Sequence, residues 1–173
     1  MNESTFLKLV LCGDGAVGKT TLLYRYIRGQ FHSDTKMTLG VDFMLKEVKK
    51  GNHELSLQIW DFAGQEHFRH LLQRYALGAQ GAIIMFDLTR INTLKNLDEW
   101  VSICRKFGPE LPIVLLGGKL DLVENVKVED DYVLGLKEKF NFIDYIKISS
   151  KTGENISVAF DILLDEILKT EIL

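Results

Sequence analysis

The chain has 173 residues, of which 46% are hydrophobic and 26% charged, as is usual for a globular protein. We expect residues 1–173 to form one domain, because this length allows a substantial core. A net charge of −3 provides no overall positive field and argues against nucleic-acid binding. Cys12 and Cys104 have no metal-site or disulfide spacing, so we expect buried thiols. Without a recognisable signal sequence or a bilayer-length apolar run, we expect a cytoplasmic protein.

The first predicted elements are a strand and a helix around a glycine-rich loop. Residues 6–12 form a mostly apolar run, and residues 21–28 carry apolar side chains at helical spacing. Between them, the segment Gly13-Asp14-Gly15-Ala16-Val17-Gly18-Lys19-Thr20 fits the pattern G-x-x-x-x-G-K-[ST]. Its glycines let the backbone close around phosphate, and the following helix N-terminus adds partial positive charge. Lys19 could then reach the β- and γ-phosphates, and the Thr20 hydroxyl could hold Mg²⁺.

A loop and a β-hairpin follow the first helix. Residues 29–40 are polar and lack a clear period, which predicts an exposed loop. Two alternating runs, 41–46 and 55–60, lie on either side of a Gly51-Asn52 turn and predict a hairpin. We expect its first strand at the sheet edge, with Lys46, Lys49 and Lys50 as solvated charges that protect the exposed side.

The remaining chain alternates between predicted strands and helices. The strands are 81–87, 113–117 and 145–148, and the helices are 92–107, 129–140 and 154–169. Val158, Ile162, Leu163 and Ile167 are expected on the inner side of the last helix. Repeated βα units with buried strands predict an α/β fold, a mostly parallel sheet with helices on both faces. Ligands in such folds bind at the carboxyl ends of the strands.

Polar motifs stand at three of these strand ends. After the third strand, Asp61 could hold Mg²⁺, Gly64 could meet a γ-phosphate and Gln65 could orient a water molecule. The fifth strand leads into Gly118-Lys119-Leu120-Asp121, where the carboxylate could accept two N–H groups from a guanine edge. The sixth leads into Ser149-Ser150-Lys151, which could close over the base. A P-loop ATPase or nucleotide kinase shares the first motif, but Asp121 and Gln65 argue against both.

Together these motifs resemble the Ras superfamily of small GTPases, and the details point to the Rab branch. The resemblance runs from Phe6 to about Leu168. Residues 39–43 (LGVDF) look like the Rab segment IGVDF, and residues 57–66 (LQIWDFAGQE) are similar to LQIWDTAGQE. Residues 67–69 and 75–79 resemble the segments that follow in that branch. The resemblance implies a P-loop GTPase fold, six strands with one antiparallel edge strand, and slow GTP hydrolysis with Mg²⁺ as part of a molecular switch.

The resemblance also implies a role for each matching residue. Those that contact GTP or GDP would be Gly13, Asp14, Gly15, Ala16, Val17, Gly18, Lys19, Thr20, Thr21, Phe31, Thr38, Gly64, Lys119, Asp121, Leu122, Ser149, Ser150 and Lys151. Thr20, Thr38 and Asp61 would hold Mg²⁺, and Gln65 and Lys19 would act in catalysis. Phe31 and Lys119 would cover the two sides of the guanine, and Ser150 would offer a backbone N–H to it. Because Gly15 has no side chain, it would leave room for Gln65 and for an arginine of a partner protein.

Phe43, Trp60 and Tyr75 allow two interpretations. They could fill the space between the hairpin and a helix of the switch region, or they could form the aromatic patch that Rab proteins present to their effectors. The resemblance further implies an exchange factor and a GTPase-activating protein as partners. The activating protein would supply an arginine, because none lies between Gln30 and Asp42. We expect a monomer, with a role in membrane trafficking or signalling.

The sequence departs from the family pattern at a few positions. Gly118 replaces the usual Asn, so we expect guanine specificity with lower affinity; a non-hydrolysing scaffold remains an alternative on this ground. Phe62 replaces Thr, and Ala76-Leu77 replaces Tyr-Arg, changes expected to alter partner choice. Rab proteins generally continue into a tail with prenylated cysteines. No cysteine follows Cys104, which leaves membrane association open.

Overall fold

The computed structural model describes residues 4–33, 36–106 and 108–171. The six strands of its sheet are β1 (Thr5–Cys12), β2 (Val41–Lys50), β3 (His53–Phe62), β4 (Gly81–Asp87), β5 (Ile113–Gly118) and β6 (Asp144–Lys147). Their order across the sheet is β2-β3-β1-β4-β5-β6. The edge strand β2 is antiparallel to β3, and the other pairs are parallel. The predicted α/β fold with one antiparallel edge strand is confirmed.

Helices cover both faces of this sheet. They are α1 (Lys19–Arg28), α2 (Glu66–Ala76), α3 (Leu97–Arg105), α4 (Asp130–Phe140) and α5 (Ile156–Glu171). One hydrophobic cluster joins the sheet to α1 and α5, and a second joins it to α2, α3 and α4. Because the strands carry apolar side chains on both faces, each face needs such a covering layer. The assignment of residues 1–173 to a single domain stays a prediction.

Several predicted boundaries need correction. The predicted helix 92–107 is wrong at its start, since Ile91–Leu94 is a 3₁₀ turn and α3 begins at Leu97. Its predicted last residue, Phe107, lies outside the described residues. The predicted helices do not include α2 as a separate element. The helix α5 begins at Ile156, two residues later than expected. The described part of the predicted loop 29–40 contains neither helix nor strand.

Of the three β2 lysines predicted as solvated charges, Lys49 is exposed as expected, whereas Lys46 and Lys50 contact other elements. The Lys46 ammonium donates to the Tyr26 carbonyl at 2.7 Å and lies 4.5 Å from the centre of the Tyr26 ring. Lys50 pairs with Asp161 and Asp165 of α5, each at 3.1 Å. These two lysines therefore tie the edge strand to α1 and α5, a role that depends on residues distant in sequence.

The two cysteines are buried, as predicted, with their sulfurs 3.4 Å apart as free thiols. Burial raises the pKa of the Cys12 thiol, the largest effect, and the contact with Cys104 raises it further. Both thiols therefore behave as small apolar groups within the core. No helix in the described parts of the chain combines the length and apolar character needed to cross a membrane.

The inner face of α5 differs from the prediction at one position. Leu163 and Ile167 are buried as expected, but Val158 is 50% exposed, and Phe160 and Leu164 are buried instead. Ile162 is partly buried and packs against the core, so three of the four predicted positions lie on the inner side. The buried positions 156, 159, 160, 163, 164 and 167 follow helical spacing, and this spacing places position 158 on the opposite side of the helix.

This correction gives a direct test of the α5 packing. We expect Leu163→Ala to lower the free energy of unfolding by about 2–5 kcal/mol, because it leaves a cavity in the core. The matched variant Val158→Ala should cost less than about 0.5 kcal/mol, since an exposed side chain loses little packing. Urea unfolding followed by circular dichroism measures both. Equal losses in the two variants would contradict the observed face.

Candidate functional site

The residues of the predicted motifs meet in one cleft of about 680 Å³ at the carboxyl ends of the strands. The predicted nucleotide residues that line it are Gly15, Ala16, Val17, Gly18, Lys19, Thr20, Thr21, Phe31, Thr38, Gly64, Lys119, Asp121, Leu122, Ser150 and Lys151. Gln65 lines it as well. The cleft therefore brings the phosphate loop, the predicted switch residues and the predicted base motif together.

The phosphate loop is shaped by close backbone contacts. Gly13 has φ +138°, and a Cβ atom there would lie 2.2 Å from the carbonyl oxygen of Met85. A side chain at this position would therefore collide with the backbone of β4. Gly18, with φ +103°, is the N-cap of α1 and supplies no side-chain cap to the first N–H groups of that helix. Uncapped N–H groups at a helix N-terminus form an anion-binding arrangement.

Lys19 places a buried ammonium group along this loop. Its Nζ donates to the carbonyl oxygens of Gly13 and Asp14, both at 2.8 Å. Burial lowers the pKa of Lys19, whereas the negative charge of Asp61 opposes that shift. An ammonium held by two neutral carbonyls lacks a full counter-charge at contact distance, so a phosphate group would be a favourable ligand.

Three side chains form a candidate Mg²⁺ site beside Lys19. The hydroxyls of Thr20 and Thr38 lie 2.7 Å apart, and Thr20 donates to Oδ2 of Asp61 at 2.5 Å. Thr38 is 3.5 Å from the same oxygen. Burial raises the pKa of Asp61, although the Thr20 hydrogen bond and the charge of Lys19 oppose this shift.

The chemistry of these residues fits a hard divalent cation. Oxygen ligands suit Mg²⁺, and Oδ1 of Asp61 is buried with no hydrogen-bond partner among the described residues. No group of three or more His, Cys, Asp or Glu side chains that could hold a metal exists in the described parts of the chain. An ion here would thus depend on hydroxyl and phosphate oxygens, which is the usual way that Mg²⁺ binds with nucleotides.

The segment after β3 lies against the phosphate loop. A Cβ on Gly64 would be 2.2 Å from the backbone N of Gly15, so this contact requires glycine. The amide of Gln65 donates to Sδ of Met37 at 2.6 Å, and its Oε1 has no partner among the described residues. A Cβ on Gly15 would meet nothing within 4 Å. Open space therefore exists beside Gly15, where the resemblance implies room for Gln65.

The other end of the cleft contains the predicted base motif. Asp121 accepts a hydrogen bond from the Ser149 hydroxyl at 2.7 Å, which orients the carboxylate. Lys119 has φ +68°, unusual for a residue with a side chain, and its ammonium lies 2.6 Å from Oδ2 of Asp87. The Ser150 hydroxyl is buried and has no partner within the described residues.

Three predicted nucleotide residues do not line the cleft, namely Gly13, Asp14 and Ser149. The Asp14 carboxylate accepts instead from Trp100 Nε1 at 2.9 Å and from Asn96 Nδ2 at 3.0 Å. Although Asp14 belongs to the phosphate-loop sequence, its side chain therefore does not line the cleft. Its backbone carbonyl holds Lys19, as described above, so any contribution of the Asp14 carboxylate to nucleotide binding is indirect.

Comparison with known proteins identifies the family. The model of the Ras family matches residues 8–169. The chain belongs to the Ras family. It is 42% identical over 154 residues to Ras-related protein RABA6b of Arabidopsis thaliana, which covers 88% of this chain and 67% of that protein. It is 36% identical to Ras-related protein Rab-2B of Dictyostelium discoideum over 163 residues, 94% of the chain and 80% of that protein. For Ras-related protein Rab7 of Drosophila melanogaster the identity is 34% over 174 residues, 98% of the chain and 84% of that protein.

These relatives make the chain a Rab-like small GTPase in family terms. Members of the Ras family generally use GTP, GDP and Mg²⁺. The predicted residue roles stay predictions, supported by the convergence of the motifs in one cleft.

An aromatic cluster lies on the sheet next to α2 in this Ras-family protein. The rings of Phe43 and Trp60 are 5.2 Å apart, and those of Trp60 and Tyr75 are 5.9 Å apart. Phe43 is 44% and Tyr75 43% exposed, and the Lys8 ammonium lies 4.8 Å from the Trp60 ring centre. The cluster therefore both joins the hairpin to α2 and presents ring surface to solvent, so it fits both interpretations of these residues.

Sequence reasoning missed some lining residues of the Ras-family cleft, namely His32, Ser33, Lys36, Met37, Ala63 and Met85. The first four belong to the loop after α1, where no periodic pattern gives a side-chain direction. Met85 lies in a continuous apolar strand, which predicts burial but does not indicate that its end reaches a ligand cleft. No sequence pattern indicates that Arg69 contacts Asp14 and the Gly64 carbonyl, because both contacts depend on the tertiary fold.

Proposed function

We propose that this Ras-family protein binds GTP and GDP with Mg²⁺, hydrolyses GTP slowly, and acts as a molecular switch in membrane trafficking or signalling. The observation that carries this proposal is the meeting, in one cleft, of the phosphate loop, the hydroxyls of Thr20 and Thr38, and the Asp121 carboxylate. The buried Asp61 carboxylate accepts a hydrogen bond from Thr20 beside this cleft. Family membership adds support, because Ras-family members are GTPases.

The phosphates would occupy the loop around Lys19. In this proposal, the Lys19 ammonium leaves the carbonyls of Gly13 and Asp14 and pairs with the β- and γ-phosphate oxygens, a stronger charge-assisted contact. Thr20, Thr38 and Asp61 would hold Mg²⁺, which neutralises the charge on the phosphate oxygens. Oδ1 of Asp61, which has no partner among the described residues, would be an acceptor for a water molecule on the ion.

Hydrolysis would depend on Gln65 and on the backbone of Gly64. The Gln65 Oε1, which has no partner in the described residues, could accept a hydrogen bond from the attacking water molecule. Gly64, pressed against Gly15, would bring a backbone N–H to the γ-phosphate. We propose that a GTPase-activating protein supplies the missing arginine and that hydrolysis is slow without it.

Guanine would be recognised at the base end by Asp121. A carboxylate accepts two N–H groups from guanine, whereas adenine does not offer this pair of donors on one edge. The Ser149 hydroxyl holds that carboxylate at 2.7 Å, which reduces its freedom before the base arrives. Phe31 and Lys119 would cover the ring faces, and the backbone N–H of Ser150 would meet the base oxygen. Leu122 and Lys151 also line this end of the cleft.

The switch would be read by partner proteins at the aromatic cluster. Phe43 follows the segment that carries Thr38, and Trp60 and Tyr75 stand before and after the segment that carries Gln65, with the three rings in contact. Loss of the γ-phosphate would release both segments, and the rings next to them would change their surroundings. We propose this cluster as an effector surface, and the switch segments as the surfaces for the exchange factor and the activating protein. The protein itself is proposed to be a monomer that does not bind nucleic acid.

The base assignment predicts a change in nucleotide preference. Wild-type protein should bind labelled GDP in preference to ADP, and Asp121→Asn should weaken GDP binding by about 10- to 100-fold, as expected for hydrogen bonds to a charged group. Fluorescence titration with both nucleotides measures this. Asp131→Asn, an exposed acid-to-amide change on α4, should leave GDP affinity unchanged. Preferential binding of ADP or ATP would favour a P-loop ATPase and refute the proposed function.

The role of Gln65 predicts a loss of hydrolysis without a loss of binding. Gln65→Leu should slow single-turnover GTP hydrolysis by at least about tenfold, because the attacking water molecule loses its acceptor. Its GDP affinity should stay near that of the wild type. Gln73→Leu makes the same substitution on α2 away from the cleft and should hydrolyse GTP at the wild-type rate. Equal rates in all three proteins would contradict the role of Gln65, and no hydrolysis in any would indicate the scaffold alternative.

The switch predicts that Trp60 senses the nucleotide state. The chain has two tryptophans, so Trp100→Phe leaves Trp60 as the single tryptophan emitter. Because Trp100 also donates to Asp14 of the phosphate loop, the GDP affinity of this variant is measured first and should still allow full loading. Its emission should differ between the GDP form and the form loaded with a non-hydrolysable GTP analogue, because the flanking rings move. Trp60→Phe, which retains the buried Trp100, should give a smaller change. Identical Trp60 spectra in both states would count against a switch at this cluster.

A further inference from the structure

The side chain of Met85 fills a gap between the phosphate loop and the base motif. Met85 belongs to β4, is almost fully buried, and lines the cleft. Its terminal methyl lies 3.5 Å from the point where a Cβ on Gly18 would be. The same methyl lies only 2.3 Å from the point where a Cβ on Gly118 would be. Two glycines on opposite sides therefore leave the room that this one side chain occupies.

Backbone conformation does not explain the glycine at position 118. Gly118 ends β5 and is not among the described glycines with positive φ, in contrast to Gly13 and Gly18. Any residue could adopt its backbone angles. A Cβ at this position would meet the Met85 methyl at a distance that real Cβ atoms do not reach, whereas its other neighbours, the carbonyls of Phe86 and Val17, are at 3.4 and 3.5 Å. The steric reason for Gly118 is thus Met85.

We propose that Met85 and Gly118 form a matched pair that determines guanine-nucleotide affinity. In this pair, the Met85 methyl takes the space that a side chain at position 118 would fill, and it packs the phosphate loop against the base motif. The proposal rests on the nucleotide binding proposed above and names Met85 as a positioning residue for it. The Asn that resembling proteins carry at position 118 would therefore not restore affinity in this chain unless Met85 also changed.

A polar connection next to this pair already links the two halves of the cleft. Arg90 donates through Nη2 to the Ala16 carbonyl of the phosphate loop and through Nε to Asp87, both at 2.9 Å. The buried Asp87 carboxylate also holds the Lys119 ammonium. The chain Ala16–Arg90–Asp87–Lys119 therefore joins loop and base motif by hydrogen bonds. Because these hydrogen bonds already join the two halves of the cleft, the space at position 118 can hold an apolar contact, which the Met85 methyl provides.

The consequence is a strong coupling between the two positions. An Asn at position 118 would displace the Met85 methyl, which lies between Gly118 and Gly18 at the cleft, and we expect this displacement to disturb the phosphate site. A shorter side chain at position 85 would remove that conflict, because valine lacks the terminal methyl. The same amide would then lie beside the Val17 carbonyl of the phosphate loop, where its NH₂ group could donate.

A double-mutant cycle tests this pair. The proteins are wild type, Met85→Val, Gly118→Asn and the double variant, with GDP affinity and the urea midpoint without nucleotide as the two measurements. Gly118→Asn should weaken GDP binding by about tenfold or more, as expected for overpacking of a filled site. Adding Met85→Val should recover at least about fivefold of that loss, a coupling of the size found between residues in contact.

The matched control is Met44→Val combined with Gly118→Asn. Met44 is a partly buried methionine of β2 that packs against the core away from position 118. Met44→Val should not restore the GDP affinity of Gly118→Asn, because it is the Met85 methyl that occupies the space of a side chain at position 118. Rescue by Met85→Val but not by Met44→Val supports the pair. Additive effects on GDP affinity, or equal rescue by both, would overturn it.

The two measurements separate a failure of this pair from a failure of the proposed function. If Gly118→Asn does not fold, a double variant that folds and binds GDP supports the pair, and one that also fails to fold overturns it. If wild-type protein does not bind GDP, the proposed function is wrong and the claim about affinity fails with it. If the urea midpoints of the four proteins are non-additive in that case, Met85 and Gly118 pack against each other as described, and only the proposed function is wrong.

Discussion

The carboxylate of Asp14 joins the phosphate loop to two helices at once. It accepts hydrogen bonds from Trp100 and Asn96, at the start of α3, and lies 3.4 Å from the Arg69 guanidinium of α2. A charge removed from water is costly unless donors replace the water, and here three donors do so. The loop is therefore held in place by the fold itself before a nucleotide arrives. Such preorganisation lowers the entropy that binding must overcome.

Arg69 extends this connection to the segment that carries Gln65. Its guanidinium donates to the Gly64 carbonyl at 3.1 Å and to Glu99 at 2.7 Å, and lies 5.0 Å from the Trp100 ring centre. A buried guanidinium with several fixed partners has little freedom to move. It therefore holds Gly64 against Gly15, and that contact tolerates no side chain at position 64. One interaction network thus determines both the loop and the residue that faces it.

What the sequence could predict was local. The phosphate loop, the hairpin turn and the buried strands depend on neighbouring residues, and all three are in the structure where the patterns place them. The direction of the Asp14 side chain and the contacts of Lys46 and Lys50 in β2 depend on residues far along the chain. The same holds for Met85, whose position between two glycines appears only when β4 lies between β1 and β5. Motifs therefore located the cleft, and tertiary packing decided which side chains line it.

The two walls of the cleft differ in how firmly they are held. The phosphate-loop wall rests on buried strands and on the Asp14 network, whereas the opposite wall includes Met37, which is 72% exposed. Contacts between this wall and the rest of the cleft include the hydroxyl of Thr38 with Thr20 and Asp61 and the Gln65–Met37 hydrogen bond. Segments with few buried contacts open at low cost in free energy. A ligand that bridges both walls can therefore shift the exposed wall alone, in proportion to its differential affinity for the open and closed positions. That asymmetry would confine a nucleotide signal to the surface beside Phe43 and Trp60 and leave the core unchanged.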